Sequence, residues 1–300
     1  MQSGLLRRIN YPVPQLILGT KNWGEFADLP EARSQLRTYL AAGGYGIELN
    51  SSGKNLAIAG ELLAELTNRA HFQVHFNLNE IQNTAQAQRD IHQALSETNL
   101  DYFDVIWTSF DVKKLAPGEI SRLISQNIKN EKTRYFGLNK SEFWQFVYLQ
   151  ENLKLENINL AGLKTIWSLV ERELTNEELN ACELLQVSIL ATRCLGLGLL
   201  TGKYQFNTPS DSMLARGNTE LSNLLTSTNA AKIQALATAA DGIGVSLTEM
   251  ALAWVFTNQQ VSAGVVNARN TSQLNQILKS VKLEIPAEIK AALDEVGNFE

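Results

Sequence analysis

Apolar residues fall into short runs separated by longer amphipathic stretches, and the two kinds of segment alternate along almost the whole chain. Strand-like runs stand near 15–18, 45–49, 72–77, 103–109, 134–138, 160–166, 187–192 and 261–266. Between them the apolar spacing predicts helices near 31–42, 55–67, 84–97, 118–129, 141–151 and 176–185, with more helix near 230–240, 247–257, 270–279 and 286–296. Strict alternation of this kind predicts a parallel sheet closed by crossover helices, and eight strands predict a (β/α)8 barrel forming one domain over 1–300. The stretch 196–228 breaks the rhythm with Gly, Ser, Asn and Thr, and predicts a long loop after the seventh strand. Loops at that end of a barrel build its ligand site.

Composition narrows the picture further. A chain of 300 residues with 44% hydrophobic content fills one full core. The net charge of -5 argues against a nucleic-acid partner, which selects for a basic bias. No apolar run approaches the roughly 20 residues that span a bilayer, and 1–8 is too short in apolar length for a signal peptide, so a cytoplasmic protein with no membrane partner is expected. Cys182 and Cys194 form no disulfide framework, and nothing has metal-ligand spacing.

Several short motifs punctuate this scaffold: Leu18-Gly19-Thr20, Leu100-Asp101-Tyr102-Phe103-Asp104, Arg134-Tyr135-Phe136-Gly137, Trp167-Ser168-Leu169, Leu199-Leu200-Thr201-Gly202-Lys203-Tyr204 and Ala251-Leu252-Ala253-Trp254. In that order and at those spacings the chain resembles the aldo-keto reductase family from end to end. The resemblance implies a carbonyl reductase using NADP, with a catalytic Asp, Tyr, Lys and His. Carried over residue by residue, those four positions hold Glu48, Gly53, Asn77 and Ser109. Glycine donates no proton, and the reaction needs a donor beside the hydride acceptor. Tyr45, Tyr102 and Tyr135 start predicted strands, at the end of the barrel opposite the site, and only Tyr204 lies on a loop at the correct end.

The same carry-over describes the cofactor. The family's contacts to nicotinamide fall on Asn139, Lys140, Lys164 and Thr192, all changed in type, while Arg269 and Gln273 match its contacts to the 2′-phosphate and adenine. A helix beginning at Asn270 would favour an anion there. The family's Gly and final Asn in that segment fall on Asn267 and Ile277. On the third strand the family position of Asn77 points inward, so alternation turns Gln73 and His75 inward too. His75 then either contacts a ligand or is a hydrogen-bonded core histidine.

The replacements suggest an activity of their own. Lys21, Lys54, Lys140, Lys164, Arg193 and Arg269 map to the barrel mouth, and a concave basic mouth concentrates an anionic small molecule or nucleotide. The alternative is a set of solvated loop cations. Lys164, inside the barrel, would have a depressed pKa suited to nucleophilic or basic chemistry, with Glu48 as its partner or as a general acid/base. The bland alternative is a structural ion pair. Asn50, Asn77, Ser109, Asn139, Arg193 and Lys21 would line the substrate, and Asp111 binds a ligand amine or caps its loop. Three readings follow: a repurposed barrel that binds an anion, an NADP-dependent oxidoreductase with an unusual proton donor, and a silent regulatory or structural protein partner.

Overall fold

The computed structural model describes residues 1–51, 54–66, 69–139, 143–204 and 217–298. Its strands are β1 (Ser3–Leu6), β2 (Tyr11–Pro14), β3 (Leu16–Gly19), β4 (Gly46–Asn50), β5 (Gln73–Asn77), β6 (Phe103–Thr108), β7 (Thr133–Asn139), β8 (Leu163–Ile166), β9 (Ile189–Thr192) and β10 (Val261–Asn267). From β3 to β10 they close into a parallel barrel, β10 pairing with both β3 and β9. The helices are α1 (Leu29–Ala41), α2 (Asn55–Ala64), α3 (Thr84–Thr98), α4 (Pro117–Lys129), α5 (Phe143–Lys154), α6 (Asn176–Leu184), α7 (Thr219–Asn223), α8 (Ser227–Ile243), α9 (Leu247–Phe256), α10 (Thr271–Ser280) and α11 (Ala287–Gly297). The expected (β/α)8 barrel is therefore the observed architecture. Among the described residues no single helix is long and apolar enough to cross a membrane.

Local signals set the helix starts. Asp28 accepts a bond from the Glu31 N–H to open α1, while Thr175 with Glu178 and Ser246 with Glu249 form capping boxes on α6 and α9. Strand alternation then splits the apolar residues into two cores. Ile47, Leu49, Val74, Phe76 and Ile106 face the helices, whereas Leu6, Val13, Ile17, Val105, Trp107 and Leu190 belong to a separate cluster in the lumen. Gly137 permits that inner packing, because a Cβ there would meet the Trp107 ring at 2.2 Å.

Two features depart from the sequence reading. The N-terminal segment forms an antiparallel hairpin, β1 with β2, that closes the lower end of the barrel. Gln73 donates to the Pro12 carbonyl at 2.6 Å, and Ser262 to Leu5 O at 2.9 Å. Pro12 and Pro14 mask its strand pattern, since proline is tolerated only on such an edge. The stretch expected as one loop after the seventh strand also contains a 3-10 turn at Gly196–Thr201, the short helix α7 and the start of α8. The asparagine and threonine N-caps Asn218 and Thr226 initiate the two helices, which are too short or too weakly periodic there to stand out by pattern.

Candidate active site at the barrel mouth

Register fixes which polar side chains share the lumen. Glu48 lies opposite His75 and Asn50 opposite Asn77 across β4 and β5, Asn139 lies opposite Lys164 across β7 and β8, and Lys164 is level with inward-facing Leu190 on β9. At the C-terminal ends of these strands one network results. Lys164 Nζ donates to Glu48 Oε2 at 2.6 Å and to Asn77 Oδ1 at 2.8 Å. Asn139 Nδ2 donates to the same Asn77 oxygen at 2.6 Å, and Asn77 Nδ2 donates to Asn50 Oδ1 at 3.2 Å. The ammonium sets the orientation of Asn77: a cation must meet the amide oxygen, which leaves the NH2 for Asn50.

Burial grades across this network. Glu48 and Lys164 are 6% and 5% exposed, while Asn50, Asn77 and Asn139 are half-buried. Burial pulls the Lys164 pKa below that of an ordinary lysine, and the Glu48 charge works against that pull. Beneath the pair, His75 accepts from Trp107 Nε1 at 3.0 Å through Nδ1, and its buried Nε2 has no hydrogen-bond partner. Burial pushes the imidazole down to about 4, so His75 is neutral and Nε2 carries its proton. Lys164 Nζ also lies 5.9 Å from the Trp107 ring centre.

The remaining predicted residues divide. Glu48, Asn50, Asn77, Asn139 and Lys164 come together, with His75 directly below. Ser109 follows β6 and is half-buried; its carbonyl accepts from Ile81 N at 2.7 Å. Asp111 Oδ1 accepts from Lys113 N at 2.9 Å, the loop-capping alternative. Thr192 Oγ1 donates to Thr165 O at 3.1 Å. Gly53 and Lys140 lie outside the described residues. Tyr204 has a buried hydroxyl with no hydrogen-bond partner, and Lys203 Nζ sits 4.8 Å from its ring centre. Burial pushes the Cys194 thiol up to about 12, which makes it a core residue and not a nucleophile.

Of the cations expected at the mouth, Arg193 and Lys164 are paired with carboxylates of the same chain. Arg193 reaches Glu220 at 2.8 Å and Glu171 at 3.9 Å, and Lys164 is paired with Glu48. Lys21 and Lys54 are exposed. Arg269 places its guanidinium 4.4 Å from the Phe26 ring centre. Glu220 and Glu171 carried no local signal, because only the fold returns α7 and the loop after β8 to the end of β9. Two outer clefts, of about 340 and 290 Å³, lie on the flanks beside Leu278 and Val281 and between Trp167 and Trp254, away from this network.

A closed parallel barrel whose mouth gathers polar strand ends is shared by many enzymes, so comparison decides the lineage. The profile of the Aldo/keto reductase family matches residues 15–298. The chain belongs to the aldo/keto reductase family. Relatives within reach of alignment are distant. A putative voltage-gated potassium channel subunit beta from Schizosaccharomyces pombe is 23% identical over 84% of this chain and 79% of its own length. An L-glyceraldehyde 3-phosphate reductase from Escherichia coli O157:H7 is 25% identical over 68% of this chain and 61% of its own. A probable potassium channel subunit beta from Arabidopsis thaliana is 36% identical, over 34% of this chain and 32% of its own. The family usually uses NADP(H).

Proposed function

We propose that this aldo/keto reductase barrel binds a small carbonyl compound bearing an anionic group at its mouth, and that its chemistry runs through Lys164 and Glu48 in place of the reductase tetrad. The carrying observation is the buried 2.6 Å Lys164–Glu48 pair near the mouth of the lumen, under the half-buried amides of Asn50, Asn77 and Asn139. Where the resemblance puts the family's Asp, Lys and His stand Glu48, Asn77 and Ser109, and Gly53 takes the place of the phenol. The cation has in effect moved from the third barrel strand to the sixth and kept a carboxylate partner. Lys21 and Lys54 supply positive potential at the rim. The relatives named L-glyceraldehyde 3-phosphate reductase act, by that name, on an anionic aldehyde, which is the same ligand class.

The cofactor of the family does not fit these residues. On the nicotinamide side Lys164 and Asn139 are bonded to Asn77, and Thr192 offers no ring for stacking. The chemistry we assign needs no hydride. Lys164 passes a proton to Glu48, and its neutral amine adds to the carbonyl carbon, with the hydrogen that leaves nitrogen ending on the carbonyl oxygen. Glu48 then protonates that hydroxyl, water departs, and the C=N bond of a protonated imine forms. Desolvation of Lys164 favours the first step.

Borohydride trapping tests this reading. Glyceraldehyde 3-phosphate and short 2-oxo acids, each with borohydride, are expected to add a reduced adduct to the Lys164 peptide, absent in Lys164→Met. Clean spectra across the whole panel would defeat the proposal, and turnover of NADPH with the same carbonyls would restore the oxidoreductase alternative, with Tyr204 the first phenol to mutate.

One surface favours a second reading, a protein partner. Trp144 and Tyr148 on α5, and Leu155 just beyond it, are 54%, 52% and 89% exposed and lie on one helical face. Relatives are named as channel subunits, which implies assembly for them. Light scattering that shows concentration-dependent mass, lost in Trp144→Glu, would support an assembly face on this chain.

A further inference from the structure

The mismatch with NADP(H) has a specific origin at the far end of the mouth. The N-terminus of α10 is the natural seat for a phosphate, because its first N–H groups lack helical partners and carry the positive end of the dipole. Here that seat holds a carboxylate from α1. The backbone N–H of Thr271 and its hydroxyl both donate to Glu31 Oε1, the hydroxyl at 2.6 Å. Gln35 Nε2 reaches the same oxygen at 3.4 Å and is itself held by Trp23, whose Nε1 donates to Gln35 Oε1 at 2.9 Å. Thr271 Oγ1 lies 3.0 Å from Ser34 Oγ. The bonds from Thr271 hold the Glu31 carboxyl below the usual range, so it is charged at neutral pH.

Neighbouring donors are used within the chain as well. Asn270 Oδ1 accepts from Gln273 N at 2.9 Å, and Gln273 Oε1 accepts from Arg269 N at 2.9 Å. Gln273 is the residue that the resemblance assigns to adenine. Beside them, the Asn267 side chain lies across the end of β3: a Cβ on Gly19 would meet its Oδ1 at 2.5 Å, and that oxygen accepts from Lys21 N at 3.0 Å. The family carries Gly where Asn267 stands.

We infer that Glu31 is a built-in occupant of the phosphate seat, closing this barrel to the 2′-phosphate of NADP(H). An incoming phosphomonoester would have to displace the carboxylate from Thr271 or sit against it, and two anions at contact distance repel strongly. Selection against the wrong ligand thus comes from one like charge, placed by the packing of α1 on α10. The inference is independent of Lys164, which lies in the central network and takes no part in these bonds.

Calorimetric titration of the full chain with adenosine 2′,5′-bisphosphate tests it. Wild type is expected to give no saturable heat at low millimolar ligand, whereas Glu31→Gln and Glu31→Ala bind at least about tenfold more tightly, the effect of lifting one contact repulsion. Adenosine 5′-monophosphate, which lacks the 2′-phosphate, should show no such gain. Glu31→Gln keeps an oxygen for Thr271, so α10 stays capped and a thermal melt confirms the fold. Wild-type affinity within threefold of both variants, whether tight or weak, overturns the inference, as does an equal gain for the 5′-monophosphate.

Discussion

Two charged networks sit at opposite ends of one lumen, and they are built to different rules. At the lower end Asp104, 2% exposed, is saturated: Tyr11 donates to Oδ1 at 2.8 Å, Arg69 and Val74 N donate to Oδ2 at 2.9 and 2.8 Å, and Arg134 approaches at 3.7 Å. Arg69 and Arg134 each sit 4.7 Å from the Tyr102 ring centre, and Tyr11 brings the hairpin onto the same carboxylate. At the upper end Lys164 and Glu48 are 5% and 6% exposed, and the amides around them are only half-buried. A carboxylate held by three hydrogen bonds and two guanidinium groups does structural work. A charge pair one layer below a partly exposed rim is where the proposed carbonyl chemistry would run.

The largest expected effect breaks the lower network. Asp104→Ala strands the Val74 N–H and two guanidinium groups, and should cost on the order of 5 kcal/mol in urea unfolding, with any carbonyl trapping at Lys164 unchanged in the protein that remains folded. A loss below about 1 kcal/mol would end its standing as a latch. Next comes the upper pair. Lys164→Met leaves the Glu48 carboxylate uncompensated and should cost about 3–4 kcal/mol, whereas Glu48→Leu/Lys164→Met together should return to within about 1 kcal/mol of wild type. Recovery of stability without trapping would separate the two regions cleanly; a double variant as weak as the single one would make the upper pair structural too.

His75 sharpens the comparison through pH. Its folded pKa of about 4 lies below the unfolded value of 6.5, so the unfolded chain takes up the proton first as pH falls. The stability associated with neutral His75 is fully present above about pH 6.5 and is lost progressively down to about pH 4, roughly 3 kcal/mol in all. Unfolding followed at pH 7 and pH 4.5 should show this slope in wild type and a shallower one in His75→Gln, which keeps an acceptor for Trp107; parallel slopes would count against it. The smallest effect belongs to the rim. Arg193→Gln should cost below about 1 kcal/mol, fading further in 0.5 M salt, because its partner Glu220 is exposed.

Much of the central site is legible in the sequence. Alternation on β5 placed His75 and Asn77 in the lumen, and the resemblance aligned Glu48 and Lys164 to strand ends that a closed barrel brings face to face. Asn139 was legible as a mouth residue, but its bond to Asn77 was not, since an amide's partner depends on distances across two strands. In the sequence Glu31 marks only the start of a predicted helix. Nothing near it in sequence signals that its carboxylate reaches Thr271.

The sequence by itself determined the alternation of strands and helices, the family, and the faces from which polar side chains enter the lumen, because those follow from periods of two and 3.6 residues and from short local caps. Only the tertiary structure decided which charges are spent on one another. Glu48 with Lys164, Arg193 with Glu220 and Glu31 with Thr271 are joined by barrel closure and helix packing, and Coulomb and hydrogen-bond energies depend on separation in space, to which distance along the chain is no guide.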